Sequence, residues 1–210
     1  MEKFSLRTVS KPLYVICLAM SPVASPGSMV FQVAVDSAPL IGHASGPFLL
    51  DFQFTDGSGM NDGNNTVTLG GFNFHGGGWI GADPGPITLT DSSFFSEYLQ
   101  GFTPGSSLSF SVSLTTAVDA GGIPDQFSFA ILDNTLSEIP TVGMADAFLA
   151  VDIDSTSPTI QTYRSDLSRT SLDIPAPTIN AAVPEASTFW AGACALGVLA
   201  SACGRRFSRR

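Results

Sequence analysis

Residues 72–79 read FNFHGGGW. A histidine followed by three glycines and an aromatic side chain is the pattern of an oxyanion loop, whose free backbone N–H groups face the negative oxygen that develops during acyl transfer. Such a loop serves a serine on a G-x-S-x-G elbow, with an acid and then a histidine further along the chain. No G-x-S-x-G occurs here, and His43 and His75 are the two histidines of the chain, so no base follows the loop. Nucleophilic acyl transfer is therefore excluded, and Gly76, Gly77 and Gly78 are expected to form a turn leaving a strand. Trp79 then either packs beside that turn or lies open as a platform for a sugar ring.

A second stretch, TDGSGMNDGNNT at 55–66, alternates oxygen-bearing side chains with glycines, as a calcium loop requires. Asp56, Asn61, Asp62 and Asn64 are its candidate ligands, and calcium is the one cofactor the sequence suggests. The helix–loop–helix calcium pattern fails, because Met60 falls at the third ligand position and no Glu stands at the twelfth. Asx turns joining two strands account for the same composition. Asp152 and Asp154 form a carboxylate pair of the kind a glycoside-cleaving enzyme uses, about 7 Å apart if they share a strand face. An acidic surface offers many such pairs, and the chain is expected not to be an enzyme.

Three of the nine basic residues are Lys3, Arg7 and Lys11, and four are Arg205, Arg206, Arg209 and Arg210. Residues 28–183 keep 16 acids against Arg164 and Arg169 alone, a formal charge of −14. That surface repels phosphate backbones, so nucleic acid is excluded as a partner. Cys17, Cys194 and Cys203 all lie in the terminal apolar stretches, so no disulfide and no cysteine-bound zinc frames the middle of the chain.

The middle reads as all-β. Leu50, Phe52 and Phe54 alternate with Asp51 and Gln53, and Leu108, Phe110, Val112 and Leu114 alternate with serines. Period two marks half-buried strands, and similar runs occur at 67–74, 86–90, 126–132 and 147–153. Val67 and Leu69 are odd while Phe72 and Phe74 are even, which predicts a β-bulge at Gly70 and Gly71. Residues 91–101, with Asp91 as N-cap and Gly101 as stop, predict one short helix carrying Phe94, Phe95, Tyr98 and Leu99 on one face. Seven or eight strands in residues 29–173 suit a β-sandwich of jelly-roll or immunoglobulin-like type. Pro175, Pro177 and Pro184 then mark a linker over 174–185.

The ends read as addresses. Basic residues, the apolar run LYVICLAM at 13–20 and a small, Pro-rich segment have the layout of a secretory signal peptide over 1–28. Residues 186–204 are 19 uncharged residues, which as a helix would span roughly 28 Å, enough for a transmembrane helix. Arg205, Arg206, Arg209 and Arg210 follow and would stop transfer on the cytoplasmic side. Val183, Pro184, Glu185, Ser187 and Thr188 precede that run. Motif, apolar helix and basic tail together resemble the PEP-CTERM sorting signal of Gram-negative bacteria over residues 183–210. Position 186 is Ala where that signal usually has a second Pro. The runs GPFLLDFQFTDGSGMNDGNNTVTL, DSSFFSEYLQGF and DQFSFAILD are similar to a recurrent PEP-CTERM group without assigned activity.

The resemblance implies export by the secretion machinery, transient anchoring in the inner membrane and processing by an exosortase. It further implies a place at the cell surface or outside the cell, in association with exopolysaccharide and biofilm. The expected function is that of a non-catalytic surface or matrix protein. The alternatives are a carbohydrate-binding module using Trp79 on polysaccharide, or a secreted glycoside-acting enzyme.

Overall fold

The computed structural model describes residues 27–118, 122–143, 146–154 and 157–184. Eleven strands occupy them: β1 (Gly27–Val35), β2 (Phe48–Thr55), β3 (Thr66–Asn73), β4 (Gly78–Trp79), β5 (Ile87–Thr90), β6 (Phe95–Thr103), β7 (Leu108–Thr116), β8 (Asp125–Leu132), β9 (Leu149–Ile153), β10 (Thr159–Thr162) and β11 (Thr178–Pro184). A single 3₁₀ turn at Ala38–Leu40 is the one helical element among the described residues. The signal-peptide residues up to 26, and Glu185, Ser187, Thr188, the apolar span and the four terminal arginines, lie outside them. Among the described residues no helix is long and apolar enough to cross a membrane.

All pairing is antiparallel, in one sheet of order β11-β1-β7-β3-β5 and a second of order β10-β9-β8-β2-β6-β4. The alternation seen in the sequence decides which face packs. Leu50, Phe52 and Phe54 of β2 are fully buried, as are Phe110 and Val112 of β7. The two sheets meet face to face through these side chains. The Phe52 ring lies 5.4 Å from Phe110 and 5.9 Å from Phe72 of the facing sheet, and 5.2 Å from Phe129 of its own. Each such phenyl group removed from water contributes about 2–3 kcal/mol, so the ten buried phenylalanines are a large source of stability.

The bulge stands where the change of parity places it. The β3–β7 register shifts between Gly70 and Asn73, and Gly71 has φ +61°, a conformation that suits glycine. The helix expected over 91–101 is instead β6. Phe95 to Phe102 pair residue by residue with Thr55 to Phe48, so Tyr98 turns toward the core while Phe95 and Leu99 turn away and stay exposed. A complete ladder with β2 outweighs a local helical pattern. The stretch expected as a linker is also folded. Ile174 is fully buried, and β11 pairs with β1 as an edge strand whose prolines precede or end it. At the other boundary, β1 begins at Gly27, inside the segment read as signal peptide.

The register sorts the loops into two ends. Gly27 pairs with Thr116, Met29 with Pro184, Thr66 with Thr90, and Asp125 with Ile153. One end, here the acidic end, therefore gathers loop 56–65, the 91–94 turn, the chain around 117–124 and both chain ends of the described unit. The opposite, glycine end carries loops 36–47, 74–77 and 104–107.

Candidate functional site

At the glycine end, the HGGGW stretch is built by packing. His75 (φ +44°) and Gly76 (φ +104°) turn the chain, and Gly77 N–H donates to Phe74 O at 3.2 Å. His75 O accepts from Ser106 N at 3.2 Å and from Ser106 Oγ at 3.3 Å. The Gly77 N–H that an oxyanion would need is thus occupied. Trp79 packs edge-on to Phe72 and Phe74 at 4.8 and 4.9 Å and joins the margin of the core. The ring is half-buried there.

The sequence does not announce one contact that the fold creates, between His43 Nε2 and Ser171 Oγ at 3.3 Å. Serine beside histidine suggests a nucleophile and its base. However, His43 Nδ1 accepts the Ser45 N–H at 3.2 Å, which leaves the ring proton on Nε2. The ring then donates to Ser171 and cannot take its proton, and no carboxylate holds Nδ1. This pair is a loop clasp.

The acidic end concentrates the polar chemistry. Asp56 closes β2 and is almost wholly buried. Its Oδ1 accepts from Ser58 Oγ at 2.8 Å and Gly59 N at 2.7 Å, and its Oδ2 from Asn61 N at 2.6 Å. Burial alone would raise the Asp56 carboxyl, but these hydrogen bonds outweigh it and hold the group below its ordinary range. Asp56 therefore staples its own loop, and Asn61 contributes its backbone to that staple. Asp62 stands exposed, with Asn64 Nδ2 donating to its Oδ2 at 2.6 Å.

Behind the loop, Asn65 ties four segments together. Its N–H donates to Asp91 Oδ2 at 2.8 Å, and its Nδ2 donates to Asp125 Oδ2 at 2.7 Å and to Ala117 O at 2.9 Å. Its Oδ1 accepts from Ala117 N at 2.9 Å and from Thr115 Oγ1 at 3.2 Å. Asp125 Oδ1 accepts from Gly57 N at 2.9 Å, so both of its oxygens are satisfied. Asp91 is completely buried, and its Oδ1 has no hydrogen-bond partner. Burial pushes the Asp91 carboxyl up to about 6, with Asp125 and Asp62 adding to the effect, against the hydrogen bond from Asn65. Sequence reasoning placed Asp91 at a helix start and passed over Asn65 and Asp125, since their convergence comes from three loops far apart in the chain.

The carboxylate pair dissolves into separate roles: Asp152 accepts from Gln126 Nε2 at 2.6 Å, and Asp154 from Thr159 Oγ1 at 3.3 Å. A recess of about 290 Å³ is lined by Asp154 together with Val118, Ile123, Pro124, Asp125 and Ile153. Among the described residues no three His, Cys, Asp or Glu side chains form a ready-made metal cage. The chain matches no family model, no curated protein and no solved structure.

Proposed function

We propose that the chain is an exported precursor that its C-terminal segment holds in the inner membrane, that an exosortase processes it, and that its β domain works as a non-catalytic surface or matrix protein. The observation that carries this reading is the order Val183-Pro184-Glu185, 19 uncharged residues, then four arginines. Two features of the fold support it. Strand β11 runs to Pro184 and so carries the chain into the sorting motif at the margin of its sheet. Met29 pairs with Pro184, so the segment behind the signal peptide and the segment leading to the membrane leave from the same end. The reading assigns the fold to the jelly rolls. The first seven strands alternate between the sheets, and the order β1-β7-β3-β5 against β2-β6-β4 supports that topology over the hairpin-linked sheets of an immunoglobulin domain. Fractionation of cells lacking the exosortase is expected to place the precursor in the inner membrane. A soluble cytoplasmic precursor would overturn the reading.

A carbohydrate-binding role draws support from a different surface than Trp79. On the outer face of the second sheet, Glu97, Gln53, Ser128, Ala150 and Gln161 form one cross-strand row over five strands. Amide side chains flank small ones at its middle, an arrangement suited to the hydroxyl groups of a neutral polysaccharide. The double variant Gln53→Ala, Gln161→Ala is expected to lose at least about tenfold in retention on such a polymer, each lost hydrogen bond contributing about 1 kcal/mol. Retention equal to that of the wild type would remove this row from consideration.

A further inference from the structure

The buried Asp91 lacks what such a group needs. A carboxylate removed from water must be paired with a cation or hydrogen-bonded at both oxygens. Asp91 has one donor, Asn65 N–H, on Oδ2 and none on Oδ1. Among the described residues no counter-charge is at hand, because their two basic side chains both belong to the glycine end: the Arg164 carbonyl accepts from Val142 N, and Arg169 is paired with Asp146 and Asp166. The surroundings instead add negative charge: Asp125 lies behind Asn65, and Asp62 lies on the loop beside the 91–94 turn. That loop comes close. A Cβ placed on Gly63 would be 3.8 Å from Ser92 Cβ.

We propose that Asp91 Oδ1 and the Asp62 carboxylate hold a calcium ion that ties loop 56–65 to the turn between β5 and β6. Asn64, already held against Asp62 through Nδ2, supplies an amide oxygen, and water completes the shell. Calcium suits this set, because it accepts six to eight oxygens of mixed type in irregular geometry, whereas magnesium requires a small regular octahedron. Two carboxylates neutralise the divalent ion, and Asp125, with both oxygens already engaged, adds only its field. The site keeps Asp62 and Asn64 of the sequence-derived set, drops Asp56 and Asn61, whose groups staple the loop, and adds Asp91.

The test uses the full chain in a non-ionic detergent after treatment with a chelator. Calorimetric titration with calcium chloride is expected to show one site. At about 100 times the dissociation constant, calcium should raise the melting temperature by about 5–10 °C, with no rise in sodium chloride of equal ionic strength. Asp91→Asn and Asp62→Asn should each weaken binding at least tenfold and at least halve the rise. Asp62 is exposed, so its variant remains informative if Asp91→Asn fails to fold. No binding at millimolar calcium, or binding of wild-type strength in Asp62→Asn, would overturn the proposal.

Discussion

Replacing Gly77 by alanine is expected to lower the unfolding free energy by about 3 kcal/mol or more, and Gly105→Ala by as much, whereas Gly78→Ala should cost less than about 1 kcal/mol. The three residues look equivalent in sequence, and the difference lies in what a methyl group would meet. A Cβ on Gly77 would stand 2.0 Å from Thr103 O and 2.6 Å from Gly105 N. On Gly105 it would stand 1.8 Å from Phe74 O. These are backbone atoms, so no rotamer change relieves the overlap, and the 74–77 and 103–106 segments must part. Parting breaks Ser106 N–H to His75 O and loosens Phe74 from Phe102, whose rings are 6.0 Å apart. Nothing lies within 4 Å of a Cβ on Gly78. Denaturant melts of the three variants decide the matter. Equal midpoints for Gly77→Ala and Gly78→Ala would show that the loops are not in close contact.

Strands that bury one face and show the other to water were legible, since alternation is written into β2, β7 and β8 and the bulge into a change of parity. The strands that escaped lack that signal. In β6, Phe94, Phe95, Tyr98 and Leu99 have helical spacing, and only the ladder with β2 sets their faces. In β11 the flanking prolines read as linker, because an edge strand tolerates what a central one does not.

Candidate sites divide in the same way. Reading the glycines after His75 as a turn leaving a strand needed only the order of residues, and the chain does turn at His75 and Gly76. Asp62 and Asn64 were visible as oxygen donors in a loop. Asp56 looked the same, yet its hydrogen bonds run inward, a matter of backbone geometry that composition does not encode. Asp91, Asn65 and Asp125 meet only because three loops that cross between the sheets converge, and no local pattern reports such a meeting.

The metal-free protein is expected to lose stability as the pH rises from about 4 to about 6, and Asp51→Asn should remove much of that loss. Asp51 sits at the centre of β2 on the face turned from the core, opposite Leu99 and Ala130, yet only 2% of it is exposed. Gln53 Nε2 donates to its Oδ2 at 2.6 Å, and Oδ1 has no partner. Burial pushes its carboxyl up to about 6, the Gln53 hydrogen bond opposes this, and the charges of Glu97 and Glu138 add to it. Because the folded state holds the proton more tightly than the unfolded chain, the contribution is fully present below about pH 4 and is lost as pH rises through about 6. Its size is on the order of 2 kcal/mol. Asp56, Asp133 and Asp146 act oppositely, since hydrogen bonds hold their carboxyls low and their contribution disappears in stronger acid. The optimum should therefore lie near pH 4–5, and at pH 7 Asp51→Asn should be the more stable protein by about 2 kcal/mol. Asp91 titrates in both proteins, so the difference between their melting curves from pH 3 to 8, measured with chelator present, isolates Asp51. Parallel curves across that range would mean that Asp51 is hydrated or paired in solution.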